Sequence, residues 1–425
     1  MESNTQAKRA VWALLEFLTS PVTQIILTPC LLAILNYNEF GLWLFATSIV
    51  GFGAMGSFGI AQATTKCVSS ADSHSSIARI TQSSIVLVLA IGIATIPIFA
   101  LIATNINGAV LEKLGPRDYV ISILIYALIA MFAQEIDYVM SAVLKGKEEF
   151  KLAAQIEIVL RPIMAVTTIA VASLFTTAKS LILAHLILLI GKILIKIPIL
   201  RSQVNQEKLF STPFSQLQFR PLFNFGIWTW AHTLGGLSLS VIDRLLVGFL
   251  FGSHDLARYG TCTQVAQFVH AIPAAALQPI FPWLSRRIED KKQPDNLKLI
   301  KLLALTTGLT LPMSAVIYIF IPQILTIWIG ADFSVENTDL ARIMVLIYGS
   351  LALGAGAHFI LLGMGDVRFV GMVNLIAGIF TIVASIISIN FGLIGFALSK
   401  LIYPIATSAY FIRVRRKIKQ NSTNH

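Results

Sequence analysis

Charged side chains are scarce in this sequence: Asp, Glu, Lys and Arg together make up only 12% of the 425 residues. Hydrophobic residues make up 56%, and the mean hydropathy is +0.78. An ordinary soluble domain carries about 25% charged residues, and a disordered chain is rich in charge and poor in apolar residues. The sequence therefore excludes both classes and predicts an all-α polytopic membrane protein.

Cysteine is also rare, with only Cys30, Cys67 and Cys262. An odd number of cysteines without metal-ligand spacing supports neither a disulfide framework nor a zinc site, so we expect packing roles. Four histidines fall on four different apolar runs and show no ligand spacing, so we expect no metal site and no cofactor. They are His185, His232, His270 and His358.

The sequence also lacks the Gly-x-x-x-x-Gly-Lys-Ser/Thr pattern of an ATP-binding loop. The stretches between apolar runs are short, which leaves no room for a soluble catalytic domain. We therefore do not expect an enzyme, and any energy source must lie outside ATP hydrolysis by this chain.

Apolar runs long enough to cross a bilayer, about 20 residues each, alternate with polar stretches along the whole sequence. They predict about 12 transmembrane helices, the ninth of which is long enough to be kinked at Pro312 or to end near Pro322. The predicted spans are roughly 10–35, 42–65, 77–103, 119–144, 152–175, 180–200, 223–251, 259–284, 299–329, 340–362, 369–389 and 391–412.

Lys and Arg, 32 in number, give the chain a net charge of +11. Most of them fall in the two terminal segments and in alternate loops between the predicted spans. Such an asymmetry is a signal of membrane topology rather than of nucleic-acid binding, because loops rich in Lys and Arg stay in the cytoplasm. The pattern predicts that both termini are cytoplasmic, in agreement with an even number of spans.

A weak internal repeat relates the two halves of the sequence. Gly41 matches Gly260, Pro97 matches Pro312, and Gly146 matches Gly363, at separations of 219, 215 and 217 residues. Duplicated halves are typical of transporters. We predict an N-terminal six-helix lobe at 1–200, a basic cytoplasmic linker at 201–220, and a C-terminal six-helix lobe with a basic tail at 221–425. The two lobes are parallel because six is even.

Three stretches in the second half carry a resemblance to a known family: SVIDRLLVGFLFGSHDLARYGTCTQ, YIFIPQILTIWIGADF and LLGMGDVRF. Together with the twelve spans and the repeat, the chain resembles the polysaccharide transport family of the multidrug/oligosaccharidyl-lipid/polysaccharide (MOP) exporter superfamily, which includes the O-antigen and lipid-linked oligosaccharide flippases. The resemblance implies two lobes around a central cavity that opens alternately to each side.

The resemblance also implies a function. Members of this family flip undecaprenyl-diphosphate-linked oligosaccharide units from the cytoplasmic to the outer leaflet of the bacterial inner membrane, for surface polysaccharide synthesis. The expected partners are this lipid-linked substrate, membrane lipids and other proteins of polysaccharide assembly, but no nucleic acid. A cation-coupled multidrug exporter of the same superfamily is the main alternative, and a membrane polysaccharide polymerase or ligase is a weaker one.

A few charged side chains lie deep within predicted spans, where a lipid-facing position is costly. Cations at this depth suit a diphosphate because they replace the hydration of phosphate, and Arg can bind it through two parallel hydrogen bonds. The alternative for each cation is an ion pair that only holds helices together. The candidate substrate-binding residues are Arg161, Lys192, Arg244, Lys400 and the acid Asp243.

The surroundings of these residues in the sequence differ. Glu157 lies one turn before Arg161, so pairing is the open alternative there. Lys196 follows Lys192 by one turn but lies near the cytoplasmic end of its span, where we expect its side chain to reach the aqueous interface. Lys400 has no acid at helical spacing, and the resemblance implies a cationic residue in this span.

Glu16 in the first span is the candidate for ion coupling. A carboxyl group in apolar surroundings has a raised pKa and can exchange a proton near neutral pH. The alternative is that Glu16 lies near the cytoplasm and is merely solvated.

Overall fold

The computed structural model describes residues 2–56, 59–71, 73–105, 108–204, 235–277, 280, 284 and 296–423. All regular structure within these residues is helical. Seven helical stretches of this part of the chain are long and apolar enough to cross a membrane, and one of them, Val367–Gln420, contains two of the predicted spans. The prediction of an all-α polytopic membrane protein is confirmed.

The chain forms two compact units. Unit 1 comprises Met1–Trp230 and Arg244–Ala257, and unit 2 comprises Ala231–Asp243 and Arg258–His425. The predicted linker at 201–220 lies outside the described residues except for its first four. The predicted division into lobes at this linker stays a prediction.

Eight helices precede the undescribed stretch at 205–234. They are α1 (Glu2–Ile34), α2 (Tyr37–Gly56), α3 (Ile60–Ser69), α4 (His74–Asn105), α5 (Gly108–Leu114), α6 (Arg117–Gly146), α7 (Phe150–Leu174) and α8 (Ala178–Val204). Next come a π-helix (Ser238–Ile242), α9 (Asp243–Phe251) and α10 (Ser253–Leu277). The last helices are α11 (Asn296–Trp328), α12 (Ala331–Gly363), α13 (Val367–Ile387), α14 (Gly392–Ser399), α15 (Ile402–Thr407) and α16 (Ala409–Thr423).

In unit 1, α1 packs along α7, and α6 packs against both α2 and α8. Glu39 at the start of α2 joins three helices at one end of the unit. Its Oε2 accepts hydrogen bonds from the Tyr119 hydroxyl at 2.7 Å and from the Ala178 backbone N–H at 2.6 Å. The carboxylate thus satisfies an unpaired N–H at the start of α8 and joins the ends of α2, α6 and α8.

In unit 2, α11 packs along α12, and α13 packs against α15. The core at one end contains Leu284, Leu299, Ile360 and Val370. Much of the apolar surface of α11 stays exposed, as expected for a helix that contacts lipid rather than water.

The sequence repeat appears as a repeated backbone turn. After α6, Glu148 adopts a positive φ of 67°, and after α12, Gly365 adopts a φ of 75°, at a separation of 217 residues. The hydrogen bonds of the two turns also correspond: Glu149 N–H bonds to Leu144 C=O, and Asp366 N–H bonds to Leu361 C=O. This left-handed turn is a standard helix ending, and its recurrence supports the duplication.

The predicted spans correspond to helices over most of the described chain, with several differences. The helices α1, α10 and α12 begin six to nine residues before the predicted starts, and the twelfth span is divided among α14, α15 and α16. The second span is broken between Gly56 and Ile60, where Gly59 has a φ of 69°. The ninth does not end near Pro322: α11 continues through Pro322 to Trp328. The first part of the seventh span, 223–234, lies outside the described residues.

Candidate functional site

Five charged residues on three helices form a buried cluster in unit 1, which we call the unit 1 charge cluster. Glu157 is at its centre: its Oε1 lies 2.8 Å from Lys192 Nζ and 3.0 Å from Lys196 Nζ, and its Oε2 accepts from Arg161 Nε at 2.9 Å. Asp137 on α6 pairs with both lysines. Three cations thus share two carboxylates, which offsets much of the cost of burying them.

Arg161 and Lys192, two of the predicted substrate-binding residues, are brought together by this cluster. Both line a cavity of about 290 Å³ in unit 1, whose wall also includes Gln24, Gln134 and His185. The Arg161 side chain is 30% exposed, whereas Lys192 is 6% exposed. The pairing of Arg161 with Glu157, left open from the sequence, is confirmed.

The Arg161 side chain is only partly engaged by this pairing. Its Nε donates to Glu157, and its two terminal nitrogens have no partner among the described residues. An arginine in this state can still offer two parallel N–H groups to an anion.

The expectation for Lys196 is wrong. Its side chain is 1% exposed rather than reaching the aqueous interface, and it donates to Ser141 Oγ at 2.7 Å in addition to its two carboxylates. Two acids from neighbouring helices compensate the charge of Lys196, which offsets the cost of burying it. The residues near Lys196 in the sequence did not indicate these partners, because they lie on other helices.

Glu16, the predicted ion-coupling residue, does not lie in purely apolar surroundings. Its Oε1 accepts a hydrogen bond from Lys145 Nζ at 2.8 Å, and both side chains are partly accessible. Glu16 thus has an ion-pair partner on another helix, which its position in the sequence did not indicate. The role itself stays a prediction.

Lys400 and Asp243 form a buried ion pair in unit 2. The Tyr259 hydroxyl also donates to Asp243 Oδ2 at 3.2 Å, and Lys400 Nζ lies 4.8 Å from the centre of the Tyr259 ring. Both side chains are almost fully buried. The ion pair links the start of α9, at Asp243, to the junction of α14 and α15, at Lys400. Substrate contact by these two residues stays a prediction.

Arg244 follows Asp243 directly but does not share its partner, as the 100° rotation per helical residue predicts. It is half-buried, and no ion pair of its side chain occurs among the described residues. Its Nε is buried without a hydrogen-bond partner there. Of the predicted site residues, it is the one whose charge stays uncompensated in this part of the chain.

A second cavity, of about 600 Å³, lies within unit 2 and was not predicted from the sequence. Its wall carries Tyr348, Asn374, Tyr403, Tyr410 and two of the four histidines considered above, His270 and His358. The sequence signal was available in part, because Tyr403, Thr407 and Tyr410 follow the i, i+4, i+7 spacing of one helix face.

The described residues hold no group of three His, Cys, Asp or Glu side chains that could bind a metal ion. His185 contacts the edge of Trp43 with ring centres 5.8 Å apart and lies in the wall of the unit 1 cavity. His232 lies outside the described part of the chain.

Solved structures with a similar fold include membrane transporters. An inward-facing multidrug resistance MATE family transporter of the MOP superfamily superimposes with a TM-score of 0.69 and 13% identity, over 98% of this chain and 96% of that one. An outward-facing transporter of the same description superimposes with a TM-score of 0.64 and 12% identity, over 98% of this chain and 96% of that one. A MOP superfamily transporter from Pyrococcus furiosus, described as having a binding pocket of reversed polarity, gives 0.59 and 14%, over 98% and 95%.

Sequence comparison identifies the family. Comparison with curated proteins gives no match. The profile of a family described as polysaccharide biosynthesis protein matches residues 31–336, which is more than half of the chain. The chain therefore belongs to the polysaccharide biosynthesis protein family, as a multi-pass membrane protein with the fold of MOP superfamily transporters.

Proposed function

We propose that this protein flips a lipid-linked oligosaccharide with an anionic diphosphate head, such as an undecaprenyl-diphosphate-linked repeat unit. Transport runs from the cytoplasmic to the outer leaflet by alternating access and supplies surface polysaccharide synthesis. The family supports the polysaccharide pathway, and the fold of MOP superfamily transporters supports transport rather than catalysis by a polymerase or ligase.

The observation that carries the proposal is the partly engaged guanidinium group of Arg161 at the wall of the unit 1 cavity. A diphosphate leaves water only if cations and hydrogen-bond donors replace its hydration. Arg161 offers its two terminal nitrogens for this purpose, and Lys192 contributes a second positive charge behind it.

Glu157 makes this anion site reversible. In the absence of substrate it neutralises Arg161, so the cavity does not hold an isolated cation at low dielectric. A diphosphate competes with Glu157 for Arg161, while Lys192 and Lys196 continue to compensate the carboxylate. Binding is thus an exchange of anions around one arginine, which keeps affinity moderate and permits release.

The size of the unit 1 cavity fits this role. At about 290 Å³ it lies just below the usual range for ligand sites, roughly 300–1,000 Å³. It therefore suits a compact head group rather than a whole repeat unit.

The test is transport of a fluorescent diphosphate-linked oligosaccharide by the full chain in proteoliposomes. We expect Arg161→Gln to slow transport at least tenfold, because it removes both the charge and the paired N–H groups. Arg161→Lys keeps the positive charge but not the two parallel N–H groups of the guanidinium, and it should retain an intermediate transport rate. Arg415→Gln, at an exposed arginine of α16, is the matched control and should transport normally. Unchanged transport by Arg161→Gln would contradict the proposal.

A cation-coupled multidrug exporter is the second candidate. It is favoured by the aromatic side chains in the wall of the unit 2 cavity, whose described lining contains no Lys or Arg. The same proteoliposomes test it: gradient-driven uptake of an aromatic drug, with no movement of the lipid-linked oligosaccharide, would favour the exporter over the flippase.

A further inference from the structure

We propose that the cavity of unit 2 is a binding site for an uncharged, hydroxyl-rich ligand, namely a neutral sugar residue. The proposal rests on the proposed function in one respect, since the sugar would belong to the transported glycan. The evidence for it lies within unit 2 alone.

The first argument is the chemistry of the wall. The described lining contains tyrosine, histidine, asparagine, glutamine, serine and threonine, but no Asp, Glu, Lys or Arg. Burying an uncompensated charge there is costly, so charged ligands are disfavoured. Sugars bind through aromatic faces and hydrogen bonds to hydroxyl groups, and this wall provides both.

The second argument is the fixed orientation of Asn374 on α13. Its Oδ1 accepts hydrogen bonds from the Tyr410 hydroxyl at 2.5 Å and the Tyr403 hydroxyl at 3.2 Å. With the carbonyl oxygen engaged twice, the amide nitrogen is the atom left to donate, and it has no partner among the described residues. The residue is only 8% exposed, and it lines the cavity. A donor held in this way at a cavity wall is oriented to bind an acceptor on a ligand.

A second fixed group stands on the same wall. The Tyr348 hydroxyl donates to the Leu239 carbonyl at 3.1 Å, and Gln267 Nε2 donates to that hydroxyl at 3.4 Å. Leu239 belongs to the π-helix, a type of irregularity that is frequent at functional sites. The ring of Tyr348 is therefore held in place as a flat surface for a ligand.

The third argument is how the space arises. The volume of about 600 Å³ lies within the usual range for ligand sites and is large enough for one or two sugar rings. Two helices leave it open with small residues, Ala271 and Ala274 one turn apart on α10 and the adjacent Gly354 and Ala355 on α12. Larger side chains at these positions would fill it, so the sequence forms a cavity here rather than a closed core.

The experiment measures binding of two probes to the purified full chain by saturation-transfer NMR and calorimetry: a neutral disaccharide, and inorganic pyrophosphate. We expect Asn374→Leu to weaken disaccharide binding at least tenfold and leave pyrophosphate binding unchanged. Tyr403→Phe removes one of the two groups that orient Asn374 with minimal risk to folding, and it should weaken the disaccharide severalfold. Tyr318→Phe, on α11 and outside the cavity lining, is the matched control.

The outcomes separate this inference from the proposed function. Arg161→Gln should no longer bind pyrophosphate but should still bind the disaccharide. If Arg161→Gln still binds pyrophosphate while the Asn374 and Tyr403 variants behave as expected, the proposed phosphate site is wrong and the sugar site is supported. Disaccharide binding that is equal in wild type, Asn374→Leu and Tyr403→Phe overturns the inference. Binding of an aromatic cation that Asn374→Leu abolishes, with no binding of the disaccharide, overturns it as well.

Discussion

At the scale of single residues, every cation of the unit 1 charge cluster contacts a carboxylate from its own or a neighbouring helix. The cations differ in how many of their N–H groups are used in these contacts. The ammonium group of Lys196 contacts Asp137, Glu157 and Ser141. Arg161 donates from only one of its three nitrogens, Nε, to a described residue. An ammonium with three partners holds helices together, whereas a guanidinium whose terminal nitrogens have no partner among the described residues is the group that we propose binds the substrate.

The ion pair between Lys400 and Asp243 gives a prediction at this scale. Lys400→Met leaves Asp243 buried without its cation, so we expect a loss of about 3–5 kcal/mol in the free energy of unfolding. The double variant Lys400→Met/Asp243→Asn removes both charges and should regain most of that loss. Unfolding of the detergent-solubilised protein by heat and denaturant measures both.

Two further results decide between structure and binding for this pair. Lys301→Met, at an exposed lysine of α11, is the control and should change stability little. A stable double variant that transports normally assigns the pair to structure, and a stable double variant that no longer transports returns Lys400 to the binding residues. Full stability of Lys400→Met alone would contradict the pairing.

At the scale of helices, close contacts at the end of α6 depend on a residue without a side chain. A Cβ on Gly146 would lie 2.7 Å from Val68 Cβ and 2.8 Å from the Thr65 carbonyl oxygen. Because one of these atoms is backbone, the contact cannot be relieved by a rotamer change. We expect Gly146→Ala to cost about 1–3 kcal/mol of stability, measured by thermal unfolding.

Gly191 in the middle of α8 is the matched control, because a Cβ there meets no atom within 4 Å. Gly191→Ala should leave stability unchanged or raise it by up to about 1 kcal/mol, since alanine favours helix. Equal effects of the two substitutions would mean that α3 and α6 do not meet as described. Gly363, the repeat partner of Gly146, approaches Leu284 in the same way, with a distance of 2.8 Å from a built Cβ to Leu284 Cβ.

The turn after α12 is tied to α16 by charge, and this tie should depend on pH. Asp366 accepts a hydrogen bond from Arg413 Nε at 2.7 Å and lies 3.3 Å from Lys417 Nζ. These two cations, Arg413 first, hold the pKa of the Asp366 carboxyl below its ordinary value. The stabilisation is therefore present above the ordinary carboxyl pKa of about 3.9, and it is lost as pH falls through the lower folded value.

We expect Asp366→Asn to be less stable than wild type at neutral pH, with the difference shrinking as pH falls below 4. Thermal unfolding of both proteins across this range measures it, in low salt because the pair is partly exposed. Arg415→Gln on the same helix should show no such pH-dependent difference. A gap between wild type and Asp366→Asn that stays constant down to the lowest accessible pH would argue against the ion pair.

At the scale of the whole molecule, the two units use charge differently. Unit 1 has a small cavity with cations in its wall, and the described wall of the larger cavity in unit 2 is aromatic and uncharged. The substrate that we propose, a lipid-linked oligosaccharide, has the same two kinds of chemistry, a charged diphosphate and hydroxyl-rich sugars. The two units thus share backbone turns at matching positions, while their cavities differ in polarity.

The sequence by itself determined the membrane character, the helical class and the approximate spans, because hydropathy and helix length follow directly from residue type. It also indicated the duplication, which reappears as the turns at Glu148 and Gly365. The positions of Arg161 and Lys192 in a cavity wall agree with the choice of deep cations as candidates, while their role in binding stays a proposal.

Only the tertiary structure decided which carboxylate each cation meets. Glu157 and Lys192 are 35 residues apart, and Asp243 and Lys400 are 157 apart; helical spacing predicts neighbours three or four residues away but not those on another helix. For the same reason the buried position of Lys196, the partner of Glu16 and the cavity around Asn374 could not be predicted. Burial of a charge is settled by what surrounds it in space, and that depends on how the helices pack.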